Sequence, residues 1–133
     1  MVNATTKNIL VVEDNLGDAT LIREVFGELP LVQWYFVQNM VHARDFIYHH
    51  APFHATPQPD LIILDLHLPI CPGFSLIPAV RSDPAMRGTR IVVFTSSLSE
   101  RDRSVCMQLG ADDYIVKPRT LQEWSATLAK AIQ

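Results

Sequence analysis

The stretch Leu61-Ile62-Ile63-Leu64-Asp65-Leu66-His67-Leu68-Pro69 decides the fold. Four apolar residues run into one aspartate, and a proline four residues later forbids a helix from continuing through. A short unbroken apolar run suits a strand buried on both faces, as in a parallel sheet. Its carboxylate then stands at the C-terminal mouth of the strand, where open α/β sheets bind ligands.

Upstream, Ile9-Leu10-Val11-Val12 gives a first strand from Asn8 to Val12, ending in Glu13-Asp14. Ala19, Ile22, Val25, Phe26 and Leu29 follow at helical spacing, and Pro30 stops that helix. Val32 to Val37, rich in aromatic and β-branched residues, is a second strand. Asn39 caps a helix from Met40 to about His49, with Val41, Phe46 and Ile47 as its apolar side. Pro52, Pro57 and Pro59 then mark a long loop.

Downstream, Gly73 precedes a helix from Phe74 to Arg81, broken by Ser82-Asp83-Pro84. Arg90 to Phe94 is a fourth strand, ending in Thr95-Ser96-Ser97. Ser99 with Asp102 opens a helix to about Leu109, and Gly110 is its C-cap. Tyr114-Ile115-Val116 is a short fifth strand, ending in Lys117-Pro118. Thr120 with Glu123 forms a capping box for a last helix that puts Leu121, Trp124, Leu128 and Ile132 on one face. Strand and helix alternate five times, which predicts an α/β domain with helices on both faces of a parallel sheet. Right-handed crossovers bring all five C-terminal strand ends to one edge.

The 133 residues are one domain's worth, expected to span 1–133 without an output domain. The net charge of −3, scattered in sign, advertises no nucleic-acid surface. No stretch is long enough to cross a bilayer, and the first residues lack a signal-peptide pattern. Cys71 and Cys106 have no metal or redox spacing. The expectation is a soluble, cytoplasmic, reduced protein, with Cys106 packed as a small hydrophobe. His49, His50 and His54 lie in a Pro-rich segment without carboxylate or thiolate support, and read as structural or solvated rather than as metal ligands.

The strand ends carry the chemistry. Glu13-Asp14, Asp65, Thr95 and Lys117 converge on one rim, where three carboxylates repel unless a cation joins them. Hard oxygen ligands in small number suit Mg2+. Lys117 can pair with phosphate oxygens, Thr95 offers a hydroxyl, and Asp65 is a candidate nucleophile. Each piece has a bland reading by itself. Glu13-Asp14 could be a solvated strand end, Thr95 a turn cap, Lys117 a surface lysine, Tyr114 a half-buried β residue and His67 an exposed rim residue. Their convergence favours the functional reading.

Glu13-Asp14, Leu61 to Pro69, Phe94-Thr95-Ser96 and Tyr114 to Pro118, in this order and spacing, resemble the motifs of response-regulator receiver domains of two-component signalling. The resemblance runs from about Lys7 to Ile132. It implies a flavodoxin-like (βα)5 three-layer sandwich with a five-stranded sheet of order 2-1-3-4-5. It implies that Asp65 accepts phosphate from a histidine kinase. Asp14 and Asp65 would ligate Mg2+, Glu13 would act largely through water, and His67 would lend its backbone carbonyl. Thr95, Ser96 and Lys117 would bind phosphate, with Lys117-Pro118 cis. Thr95 and Tyr114 would be the switch pair, Tyr114 rotating inward as Thr95 turns to the phosphoryl group.

The Pro-rich loop further resembles single-domain regulators of bacterial phytochrome kinases. A downstream protein or phosphotransfer partner, or a homodimer through helix 4, strand 5 and helix 5, would read the signal. The chain departs from the family at Pro72-Gly73, often Asp-Gly, and at His67, often Asn or Met. His67 and Ser97 would tune dephosphorylation by flanking the attacking water. The alternatives are a phosphorylation-independent pseudo-receiver, or a phosphatase using an aspartyl nucleophile.

Overall fold

The computed structural model describes residues 7–26, 31–68 and 71–132. Leu29 and Pro30, the expected end of the first helix, and Pro69 lie outside them. Strands β1 (Lys7–Val12), β2 (Val32–Val37), β3 (Leu61–Leu64), β4 (Arg90–Thr95) and β5 (Asp113–Val116) alternate with helices α1 (Leu16–Phe26), α2 (Met40–Ile47), α3 (Leu76–Arg81), α4 (Glu100–Leu109) and α5 (Leu121–Ile132). All strand pairs are parallel, in the order β2-β1-β3-β4-β5, the expected flavodoxin-like arrangement.

The strand period of two splits the core into two layers. Leu10, Val12, Ile62, Leu64, Ile91 and Val93 pack with residues of α2 and α3 and with Cys106 of α4. Ile9, Val11, Leu61, Ile63, Val92 and Phe94 face the other way, onto Ile22 of α1 and Trp124, Leu128 and Ala131 of α5. All four residues of β3 are buried, as a central parallel strand requires. Burial of each such side chain contributes about 1.5–3 kcal/mol.

The caps form at the positions read, although the Thr120–Glu123 box closes only through the Thr120 hydroxyl. Asn39 Oδ1 accepts from the His42 N–H at 2.8 Å, and Ser99 Oγ from the Asp102 N–H at 3.2 Å. Gly110 closes α4 at φ 114°. Thr120 Oγ1 accepts from the Glu123 N–H at 3.2 Å. Arg81, in the last turn of α3, ties three segments together. Its Nε donates to Gly110 O (2.8 Å), Nη1 to Thr89 O (2.7 Å) and Nη2 to Asp112 Oδ2 (2.6 Å).

Four local expectations need correction. Helix α2 ends at Ile47, because His49 takes a left-handed φ of 57°. Its buried stripe is Met40, Ala43, Phe46 and Ile47; Val41 sits one residue, about 100°, off that stripe and is 55% exposed. Helix α3 begins at Leu76, after a 3-10 turn over Gly73–Ser75 in which Ser75 bonds back to Pro72 O. On α5 the buried face is Trp124, Leu128 and Ala131. Leu121 opens the helix exposed, while Trp124 takes the place against Phe94, ring centroids 4.9 Å apart.

Candidate functional site

The parallel sheet delivers Glu13 and Asp14 from β1, Asp65 from β3, Thr95 from β4 and Lys117 from β5 to one edge. Glu13 and Asp65 are buried and Asp14 is exposed. Carboxylate oxygens of these three lie within 4.8 Å of one another. Lys117 Nζ reaches into the group, donating to Glu13 Oε1 at 2.7 Å and Asp65 Oδ2 at 3.0 Å. The other Asp65 oxygen, Oδ1, accepts from the His67 N–H at 3.2 Å, and the Asp65 N–H donates to Val12 O at 3.0 Å. Backbone and lysine thus fix the orientation of the aspartate. Gly73 lies against its main chain: a Cβ there would stand 2.2 Å from Asp65 O.

Crowding of acids sets the electrostatics. Burial, then the hydrogen bond with Asp65, pushes the Glu13 carboxyl up to about 8, against the pull of Lys117. Burial would raise Asp65 as well. The hydrogen bond from Glu13 and the charge of Lys117 outweigh it, so Asp65 stays below its ordinary value. Burial opposes the Lys117 charge, yet its hydrogen bonds to Asp18 and Glu13 hold the ammonium above its ordinary range. The two shifts are opposed, Glu13 pushed toward its protonated form and Asp65 toward the anion, the form a nucleophile needs. Three carboxylates of hard oxygen, two of them buried together, fit a divalent cation. They are the group of acidic, His or Cys side chains close enough to do so among the described residues, and the histidines of the Pro-rich loop do not join it.

Thr95 is fully buried, its Oγ1 accepting from the Ser97 N–H at 3.4 Å, and Ser96 is exposed beside it. His67 is exposed on the rim. The Ser97 side chain turns toward α4, donating to Asp102 Oδ2 at 2.5 Å. Tyr114 is buried, its hydroxyl donating to Ser97 O at 3.1 Å. The Lys117–Pro118 bond is trans, and Ala51–Pro52 is the cis bond among the described residues. Trans is the lower isomer by about 0.5–1 kcal/mol, and Pro118 O here accepts from Trp124 Nε1 at 2.8 Å.

One residue of the site escaped the sequence reading. Asp18, in the first turn of α1, accepts from Lys117 Nζ at 2.7 Å through Oδ2. Its place four residues after Asp14 was a signal, since a first-turn helical aspartate can look back over the strand end it follows.

The sequence model described as response regulator receiver domain matches residues 9–129. Response regulator Rcp1 of Synechocystis is 29% identical over 88% of this chain and 80% of its own length. The crystal structure of Mn2+-bound Rcp1 matches with a TM-score of 0.86 at 27% identity, over 93% of this chain and 90% of that one. The crystal structure of phosphorylated RcpA, a cyanobacterial phytochrome response regulator, matches with a TM-score of 0.87 at 29% identity, over 97% of this chain and 91% of that one. The transcriptional regulatory protein GltR of Pseudomonas aeruginosa is 32% identical over 95% of this chain but only 49% of its own length, so the chain spans about half of that relative. With the family match covering most of its length, on a fold and a rim of acids and lysine that agree with it, the chain belongs to the response regulator receiver domains, the phospho-accepting regulators of two-component signalling.

Proposed function

We propose that Asp65 is the phosphoryl acceptor of this receiver and that a histidine kinase supplies the phosphoryl group. The observation that carries the reading is Asp65 Oδ2 held 3.0 Å from Lys117 Nζ, with the carboxylates of Glu13 and Asp14 beside it. A carboxylate oxygen of Asp65 attacks the phosphorus of a phosphohistidine. The P–N bond breaks, the imidazole leaves with the electron pair, and an acyl phosphate remains on Asp65. Water later attacks the same phosphorus, returning the carboxylate and inorganic phosphate. The chain catalyses only these two steps on itself. Glu13, Asp14, Asp65 and the His67 backbone carbonyl would hold Mg2+, which neutralises charge on a transferring phosphoryl group. Lys117, Thr95 and Ser96 take the phosphoryl oxygens. His67 and Ser97 set access of the hydrolytic water, His67 by its ring and Ser97 by holding the loop to Asp102.

Residues 1–133 act as one receiver domain, in the cytoplasm, and signal through their own surface. Thr95 and Tyr114 pass the phosphoryl group's arrival to the face of α4, β5 and α5, which carries Arg101, Arg103, Asp112, Asp113 and Arg119. That face meets a downstream protein, a phosphotransfer partner or a second copy. The likeness to RcpA supports a phytochrome kinase as the phosphate source. Neither alternative is favoured, since the acceptor and the acidic pair a pseudo-receiver would lack are both present and the matches are to response regulators.

The test is incubation with acetyl phosphate, with and without Mg2+, followed by intact mass. Wild type gains one phosphoryl group only with Mg2+. Asp65→Asn gains none, and uptake by that variant at the native rate refutes the assignment.

A further inference from the structure

Lys117 has three N–H donors and meets three carboxylates: Glu13 and Asp18 at 2.7 Å and Asp65 at 3.0 Å. Glu13 and Asp65 also belong to the acidic triad that fits a cation; Asp18 does not. Asp18 therefore serves the lysine alone. It is also firmly held. Its own N–H donates to Asn15 Oδ1 at 3.0 Å and the Ala19 N–H donates to Asn15 O at 3.0 Å, so Asn15 caps the first turn from which Asp18 projects. The Lys117 side chain is 9% exposed and that of Asp18 25%, so this contact is only partly screened by water.

We propose that Asp18 is a positioning residue for phosphoryl transfer, fixing the Lys117 ammonium at the mouth of β3 from the rigid start of α1. The inference rests on the reading of Asp65 as acceptor. A cation on the triad competes with Lys117 for Glu13 and Asp65. A phosphoryl group on Asp65 takes the donor now spent on the longest of the three contacts. Asp18 is the partner that neither of them claims. Without it, the four-carbon stem of Lys117 must be ordered at the moment of transfer, and the geometric advantage of a preset charge is lost.

The experiment measures phosphorylation of the full chain by acetyl phosphate at saturating Mg2+, by intact mass. The variants are Asp18→Ala and the isosteric Asp18→Asn, each alone and combined with Lys117→Ala. Mg2+ affinity is read by calorimetry and folding by circular dichroism. Asp18→Ala is expected to slow phosphorylation about tenfold, with Asp18→Asn between it and wild type, and with Mg2+ affinity unchanged. On the Lys117→Ala background neither Asp18 change has a further effect. An unchanged or faster rate in both single variants, the same loss on the Lys117→Ala background, or a loss matched by weaker Mg2+ binding overturns the inference while leaving the acceptor assignment standing. A wild-type chain that takes no phosphate at Asp65 overturns both.

Discussion

Replacing Gly73 by alanine places a methyl group where the main chain of Asp65 already stands. The added Cβ would lie 2.2 Å from Asp65 O, 3.0 Å from Leu66 Cα and 3.2 Å from Asp65 C. A carbon and a carbonyl oxygen ordinarily meet no closer than about 3.3 Å, so one backbone must retreat by about an ångström. No flexible side chain is there to yield instead. Overpacking of this kind costs about 1–3 kcal/mol, partly offset by the lower entropy of an unfolded chain with alanine. The retreat also moves the acceptor relative to Lys117, and a misplacement of about 1 Å can slow a positioned reaction by about a hundredfold. Urea unfolding and the rate of phosphorylation by acetyl phosphate measure the two effects separately. A Gly73→Ala protein with the wild-type urea midpoint and the wild-type rate would refute the claim that this glycine is required by close approach.

Arg81→Ala leaves Asp112 and two carbonyls without their shared donor and is expected to lower unfolding stability by about 2 kcal/mol or more, read by urea titration. Arg81→Lys should recover little of this, because one ammonium cannot reproduce the planar fork. Cys106 is buried, and burial, then the charge of Asp102, pushes its thiol from about 9 up to about 11. A disulfide reagent at pH 8 should therefore find one thiol, half-exposed Cys71, in the folded chain and two in urea. Between about pH 9 and 11 the unfolded chain gives up the Cys106 proton and the folded chain keeps it, so stability falls as pH rises through that window; a fall of the same size in Cys106→Ala would contradict the shift.

The fold was legible because its signals are local or periodic. The run of β3 has to be buried on both faces, and Asn39, Ser99 and Gly110 mark helix ends by the bonds or backbone angles they alone supply there. The acceptor rim was legible for the same reason: each of its groups follows an apolar run, and topology does the gathering. What stayed hidden depends on tertiary distance. The Asp18–Lys117 pair joins residues 99 apart in sequence. Gly73 read as a helix opener, whereas its meaning lies in the carbonyl of Asp65 pressed against it. Val41 and Leu121 are apolar but exposed, since composition does not say which side of a helix meets the sheet. The trans Lys117–Pro118 bond is a conformational choice that the family resemblance alone did not settle correctly.

The central claim is that a phosphoryl group settles on one named carboxylate among four neighbours. Tandem mass spectrometry of the chain after brief exposure to acetyl phosphate and Mg2+ localises it directly. The account predicts a single modified residue, Asp65. Phosphate on Glu13, Asp14 or Asp18 with Asp65 unmodified would contradict it.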